Sequence, residues 1–195
     1  QPILPKYDIR IDRFTVENLR VDKGVLGEQR RVDLSGGVRI EQGLAKVQLT
    51  GSLGGKDRLY ALLNAQPDRD KLDLKLDYNA PAGGLLAGLT GYEDGLSLAV
   101  TGRGGWRQWD GALLARQNDA RLAAFKLAAR DGRFSLIGQA HPRGRLEGIA
   151  ARAVGETLSL SGETTFENRT LDGWLVFDGG GVSGRARGKV DLTEN

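Results

Sequence analysis

The sequence predicts an all-β chain: an elongated, curled, mostly antiparallel sheet with an apolar inner face and a short helical insertion. Three observations predict it. From Trp106 onward, turn-forming residues recur roughly every twelve positions, a spacing that suits strand-plus-turn units. They are Asn118-Asp119, Asp131-Gly132, His141-Pro142-Arg143-Gly144, Val154-Gly155-Glu156, Asn168-Arg169 and Gly179-Gly180-Gly181. Between these turns apolar and polar residues alternate, which gives each strand one apolar face. Glycine makes up 29 of 195 residues, about twice the usual ~7%, with no collagen-like period.

The elements follow in order. Over Asp8–Asp22, Ile9 and Ile11 share one face, and Asp8, Arg10 and Asp12 the other. The phase then shifts near Arg13, after which Phe14, Val16, Leu19 and Val21 carry the apolar face. A shift of this kind predicts a β-bulge. Lys23-Gly24 begins a turn. Leu44–Leu53 sets Val47, Leu49, Gly51 and Leu53 together, and Asp57–Ala65 does the same for Leu59, Ala61 and Leu63. Pro67-Asp68-Arg69-Asp70 is a polar turn.

Lys71–Tyr78 is the clearest strand. Leu72, Leu74, Leu76 and Tyr78 alternate with Lys71, Asp73, Lys75 and Asp77. The charged second face leaves no room for a helix layer, which excludes a doubly wound α/β sheet. Asn79–Gly91 is apolar and uncharged. Pro81 suits a first helical turn, and Leu85, Leu86 and Leu89 fall on one helical face. This segment reads as a short helix near residues 82–90 that plugs one end or edge of the sheet; a dip into a membrane surface is the alternative. The chain thus divides into an N-terminal β segment (1–79), a short apolar helical insertion (80–91) and a β-meander continuing the same sheet (92–195).

In the meander, Leu96, Leu98 and Val100 lead, then Trp109, Gly111, Leu113 and Ala115, then Leu122 and Ala124. Phe125, Leu127 and Ala129 take over after another phase shift. Phe134, Leu136, Gly138 and Ala140 follow, then Leu146, Gly148 and Ala150, then Leu158, Leu160 and Gly162. Val182, Gly184, Ala186, Gly188, Val190 and Leu192 close the chain. Glycines inside strands mark bends or close approach, which would let the sheet curl around a narrow interior. Roughly fourteen to sixteen strands would give a sheet some 70 Å long.

Composition limits the function. The chain has no Met, which predicts a piece of a longer protein, and no Cys, which excludes disulfides and thiolate metal sites. No stretch reaches the length of a membrane span, and no signal peptide is visible. The net charge is +3, with no basic block of the kind that grips nucleic acid.

The familiar motifs give little. Gly179–Gly184 matches G-x-G-x-x-G, but an alternating segment follows where a dinucleotide site needs a helix. The glycines read as a hairpin turn. His141 is the only histidine and reads as a loop residue, since one His without Cys cannot build the usual zinc sites. Carboxylates alternate with Lys and Arg, which favours cross-strand ion pairs over paired acid/base catalysis. Asn168-Arg169-Thr170 matches a glycosylation sequon. Trp106 and Trp109 read as strand-start residues or as a recognition pair. Arg185, Arg187 and Lys189 form a basic stripe, either a solvent face or a contact for phospholipid headgroups. No catalytic residue, cofactor or metal is expected.

Leu72–Tyr78 running into Asn79-Ala80-Pro81-Ala82-Gly83-Gly84-Leu85-Leu86-Ala87-Gly88-Leu89 resembles the TamB family, in particular its alphaproteobacterial members. So does Gly102-Arg103-Gly104-Gly105-Trp106-Arg107-Gln108-Trp109-Asp110-Gly111, continuing through Leu122–Ala129 to Arg130-Asp131-Gly132-Arg133-Phe134. The likeness lies in repeat style over most of the chain, not in a catalytic motif. TamB proteins are inner-membrane-anchored subunits of the translocation and assembly module and belong to the AsmA-like group. The resemblance implies a periplasmic chain tethered to the inner membrane by a segment outside this one. It implies a curved sheet, taco-like in section, with an apolar groove, phospholipid transport between membranes, and an outer-membrane barrel partner bound through other regions.

The expected groove residues are Leu72, Leu74, Leu76, Tyr78, Leu96, Leu98, Val100, Leu113, Leu122, Phe134, Leu136, Leu158, Leu160, Val190 and Leu192. The expected ligand is a phospholipid, held by its acyl chains. Two other readings remain open: a scaffold that pairs strands with outer-membrane or autotransporter proteins, and a closed structural sandwich.

Overall fold

The computed structural model of the chain describes residues 8–21, 30–52, 56–82, 95–118, 120–142, 154–167 and 170–191. They form one sheet of twelve strands. The strands are β1 (Ile9–Val21), β2 (Arg30–Glu41), β3 (Leu44–Ser52), β4 (Arg58–Gln66), β5 (Lys71–Ala80) and β6 (Leu96–Gly104). They continue through β7 (Gln108–Gln117), β8 (Ala120–Arg130), β9 (Arg133–Ala140), β10 (Leu158–Glu167), β11 (Thr170–Asp178) and β12 (Ser183–Asp191). Every strand pairs antiparallel with its neighbour in sequence. The sheet is open, because the order runs from β1 to β12 without returning. Strand spacing of ~4.8 Å makes it about 50 Å across.

The pairings put the alternating residues on two continuous faces. Leu72, Leu74, Leu76 and Tyr78 of β5 stand opposite Ala65, Leu63, Ala61 and Leu59 on β4. On the other side they meet Gly104, Gly102, Val100 and Leu98 on β6. The charged residues of β5 share the opposite, outer face, where Lys75 lies 3.0 Å from Asp77.

Register breaks where the sequence shifts phase. β1 slips against β2 between Ile11 and Phe14, and again between Val16 and Leu19. The first slip is the bulge expected near Arg13. A third slip falls between β7 and β8, where Ala115 faces Ala123 but Arg116 faces Arg121. The extra residue there is Leu122. The sequence placed this shift after Ala124; the structure puts it earlier, so Ala123, not Ala124, joins the apolar face.

The two rims of the sheet differ. One carries tight turns: Gln42-Gly43, Pro67–Asp70, Gly105–Arg107 and Asp131-Gly132. Gln42 and Gly43 have φ of 49° and 77°, and Asp131 and Gly132 have 48° and 81°. Positive φ at both central residues matches the right-handed twist of a hairpin. These turns are tied together. The Trp106 N–H donates to Asp70 Oδ1 at 2.8 Å, Asp131 N–H to the Arg107 carbonyl at 2.8 Å, and Phe166 N–H to the Gly132 carbonyl at 3.1 Å. The other rim carries longer connections, including residues 81–95 and 141–157.

Three expectations meet the edge of the described residues. Ala80 ends β5, and the helical insertion expected over 80–91 otherwise falls mostly on 83–91, outside the described residues. The strand expected around Leu146, Gly148 and Ala150 lies outside them too, as does the turn at Lys23-Gly24. The described residues hold twelve strands, among them β2 and β11, which alternation did not single out.

Candidate functional site

Register turns the apolar face into rows that cross the sheet. One row runs Leu72, Gly104, Trp109, Ala129, Phe134, Thr164, Gly173, Gly188 from β5 to β12. The next runs Leu74, Gly102, Gly111, Leu127, Leu136, Gly162, Leu175, Ala186. The third is bulkier: Leu76, Val100, Leu113, Phe125, Gly138, Leu160, Phe177, Gly184. The fourth begins Tyr78, Leu98, Ala115, Ala123, Ala140, Leu158.

The first two rows line a concave apolar trough of about 850 Å³ beside the tight-turn rim. Its walls take in Leu72 and Leu74 at one end and Ala186 and Gly188 at the other, with Trp106, Trp109, Leu127, Phe134, Leu136, Leu171 and Leu175 between them. This volume falls within the range of ligand cavities. Phe134 is 46% exposed, although the sheet offers it an apolar surface on both sides.

Glycines explain how the trough stays open. The Trp109 ring lies flat over Gly102 and Gly111, where any Cβ would collide with it. Phe125 lies on Gly138, Phe177 on Gly184, and Phe14 on Gly36 in the same way. Each aromatic ring reclines on a neighbouring strand instead of standing upright. The sequence suggested that strand glycines let the sheet curl; the twelve-stranded sheet is open and uncurled, and its strand glycines instead make beds for aromatic rings. The Trp109 Nε1 is buried without a hydrogen-bond partner among the described residues, so packing alone holds the indole.

The fourth row behaves differently. Leu96, Ala115 and Leu122 form a buried cluster against which Leu98 and Ala123 pack. Tyr78 is buried beside it in sequence register, and its hydroxyl donates to Asp57 Oδ2 at 2.8 Å. Asp57 is 0% exposed. Burying a carboxylate is costly unless donors meet it, so this hydrogen bond pins the start of β4 to β5.

The expected groove residues therefore divide. Leu72, Leu74, Phe134 and Leu136 line the trough. Leu76, Val100, Leu113 and Leu160 share the same face in the bulky third row, with Leu158 in the fourth. Tyr78, Leu96 and Leu122 are buried, and Leu98 packs against them. The backbone of Val190 pairs with Leu171, and Leu192 lies outside the described residues. Sequence reasoning missed Leu171 and Leu175. On β11 the outer face carries Trp174 and Val176, so both sides are partly apolar and the alternation is weak.

The motifs fall into place. β11 precedes Gly179–Gly181 and β12 follows, with the Gly179 N–H donating to the Val182 carbonyl at 2.7 Å. This is a strand-to-strand turn without the helix a pyrophosphate needs. His141 is half-buried, with Nδ1 3.2 Å from Thr157 Oγ1. The Arg185 guanidinium sits 5.3 Å from the Trp174 ring, and Arg187 lies 3.7 Å from Asp172. Among the described residues no cluster of His, Asp and Glu could hold a metal, and no helix is long and apolar enough to cross a membrane.

Compared with known protein families, curated proteins and solved structures, the chain matches none.

Proposed function

We propose that the chain is a periplasmic segment of an intermembrane lipid-transfer protein and carries phospholipid acyl chains in the trough. The observation that carries this reading is an apolar channel left open across β5–β12 in the folded chain. Acyl chains gain about 25 cal/mol per Å² of apolar surface removed from water. Leu, Ala and Gly walls give this attraction no preferred direction, so chains slide along the rows. The resemblance to TamB proteins supports the periplasmic location, the tether to the inner membrane, the envelope-biogenesis role and the barrel partner, all of which depend on regions outside this chain.

Native mass spectrometry of the protein purified without detergent, followed by lipid extraction, tests the reading. Bound phospholipid is expected, and Leu74→Glu abolishes it while leaving the sheet folded, because Leu74 borders open space. A folded Leu74→Glu protein with a normal lipid load overturns the reading. Leu98→Glu is the wrong variant for this purpose, because Leu98 packs against the buried cluster.

One observation favours the alternative, a scaffold that assists insertion of outer-membrane or autotransporter proteins by strand pairing. All nine residues of β12 are in unbroken register with β11, and no strand among the described residues pairs with its other edge. β1, the opposite edge, is broken by two bulges, a device that discourages strand addition. Crosslinking of client strands from β12 positions, with none from the trough, would favour the scaffold.

A further inference from the structure

The outer face carries a second feature that the trough does not use. Arg10 on β1 stands directly opposite Arg39 on β2, and Arg39 stands directly opposite Lys46 on β3. Three cations thus lie side by side at strand spacing, about 5 Å apart. Like charges directly opposite destabilise a sheet. Farther along the same row the signs alternate, with Asp73, Arg103 and Asp110 facing one another.

These cations surround a pocket of about 360 Å³. The β1 bulge builds one wall, since Asp12 and Arg13 together oppose Gly37 and both line the pocket. The chain passes so close there that a Cβ on Gly37 would lie 3.0 Å from the Asp12 carbonyl. Ser35 and Thr50 close the far side, their hydroxyl oxygens 2.8 Å apart. Four cations and one carboxylate line the pocket. Asp12 accepts from Arg10 Nε at 2.5 Å, and Glu41, just beyond, lies 3.6 Å from Arg39 Nε. Among the described residues, Arg13 and Lys46 have no carboxylate partner.

We propose that this pocket binds a phosphate group, with Arg13, Arg39 and Lys46 supplying the charge that holds it. A phosphate dianion or diester answers both features at once: it relieves the repulsion along the row and gives Arg13 and Lys46 the anionic partner they lack. Asp12 holds Arg10 at the margin and limits the site's net charge. The site lies on the face opposite the trough and stands whether or not the trough carries lipid. The phosphate belongs either to a phospholipid headgroup at a membrane surface or to a small soluble phosphate.

The test compares the native protein with an Arg39→Gln/Lys46→Gln double variant and a Lys75→Gln/Lys126→Gln control from the same face. Removing part of the like-charge row relieves repulsion, so the double variant melts in chloride no lower than the native protein. Inorganic phosphate is then compared with chloride at equal ionic strength by thermal melting. Vesicles of phosphatidylcholine with and without phosphatidylglycerol are compared by co-sedimentation. The expected result is phosphate-dependent stabilisation or phosphatidylglycerol-dependent sedimentation that weakens at least about tenfold in the double variant and is kept by the control. Stabilisation without sedimentation identifies a soluble phosphate; sedimentation identifies a headgroup. No response to either probe, or an equal response in the double variant, overturns the site.

Discussion

The two ends of the apolar face are built from the same residue types and end in opposite states. Beside the longer connections, Leu96, Ala115 and Leu122 form a buried cluster, with Tyr78 hydrogen-bonded to Asp57. Beside the tight turns, Trp109, Leu127, Phe134 and Leu136 line an open trough. The difference comes from what each row places next to its large side chains. In the trough rows Gly102 and Gly111 let the Trp109 ring lie down on their strands. An apolar strand face therefore does not by itself specify a core or a groove; the distribution of small residues across strands decides.

The largest effect is expected at the closed end. Leu96→Ala removes a buried side chain and should cost about 3 kcal/mol, read as a lower midpoint in urea. Lipid carried per folded molecule should not change. A variant that kept its stability but lost lipid would reverse the roles of the two ends.

Gly102→Ala acts on the trough. Its Cβ collides with the Trp109 ring, and relieving that overlap should cost about 1–3 kcal/mol. The displaced indole moves into the channel, so tryptophan emission should shift and lipid content should fall. Unchanged emission would mean that the ring does not depend on its glycine bed.

The smallest effect is expected at the tight-turn rim. Arg107 and Asp131 lie 3.2 Å apart, but both are largely exposed. Arg107→Ala should change stability by less than about 1 kcal/mol, measured by the same urea titration. A larger loss would show that the hydrogen-bonded turns, and not the buried cluster, hold this end of the sheet.

Much of the architecture was legible because period-two alternation needs no knowledge of neighbours. Leu72, Leu74, Leu76 and Tyr78 announce one face of β5 without any other strand. The bulge near Arg13 was legible for the same reason, as a break in phase. β11 was not, because Trp174 and Val176 on its outer side blur the alternation of Leu171, Leu175 and Phe177. The candidate site was legible only as a face. Leu74 and Leu98 look alike in sequence, and only packing separates an open wall from a buried neighbour of Leu96.

Sequence alone determined the antiparallel all-β class, the apolar and charged faces, and the turns at Pro67–Asp70 and Asp131-Gly132, since each follows from local alternation or backbone preference. Tertiary structure decided the rest through register. Pairing set Gly102 and Gly111 under Trp109, joined Leu72 to Gly188 across eight strands, and brought Arg10, Arg39 and Lys46 into one row. Those residues are far apart along the chain, and only the hydrogen-bond register of the sheet fixes which of them stand side by side.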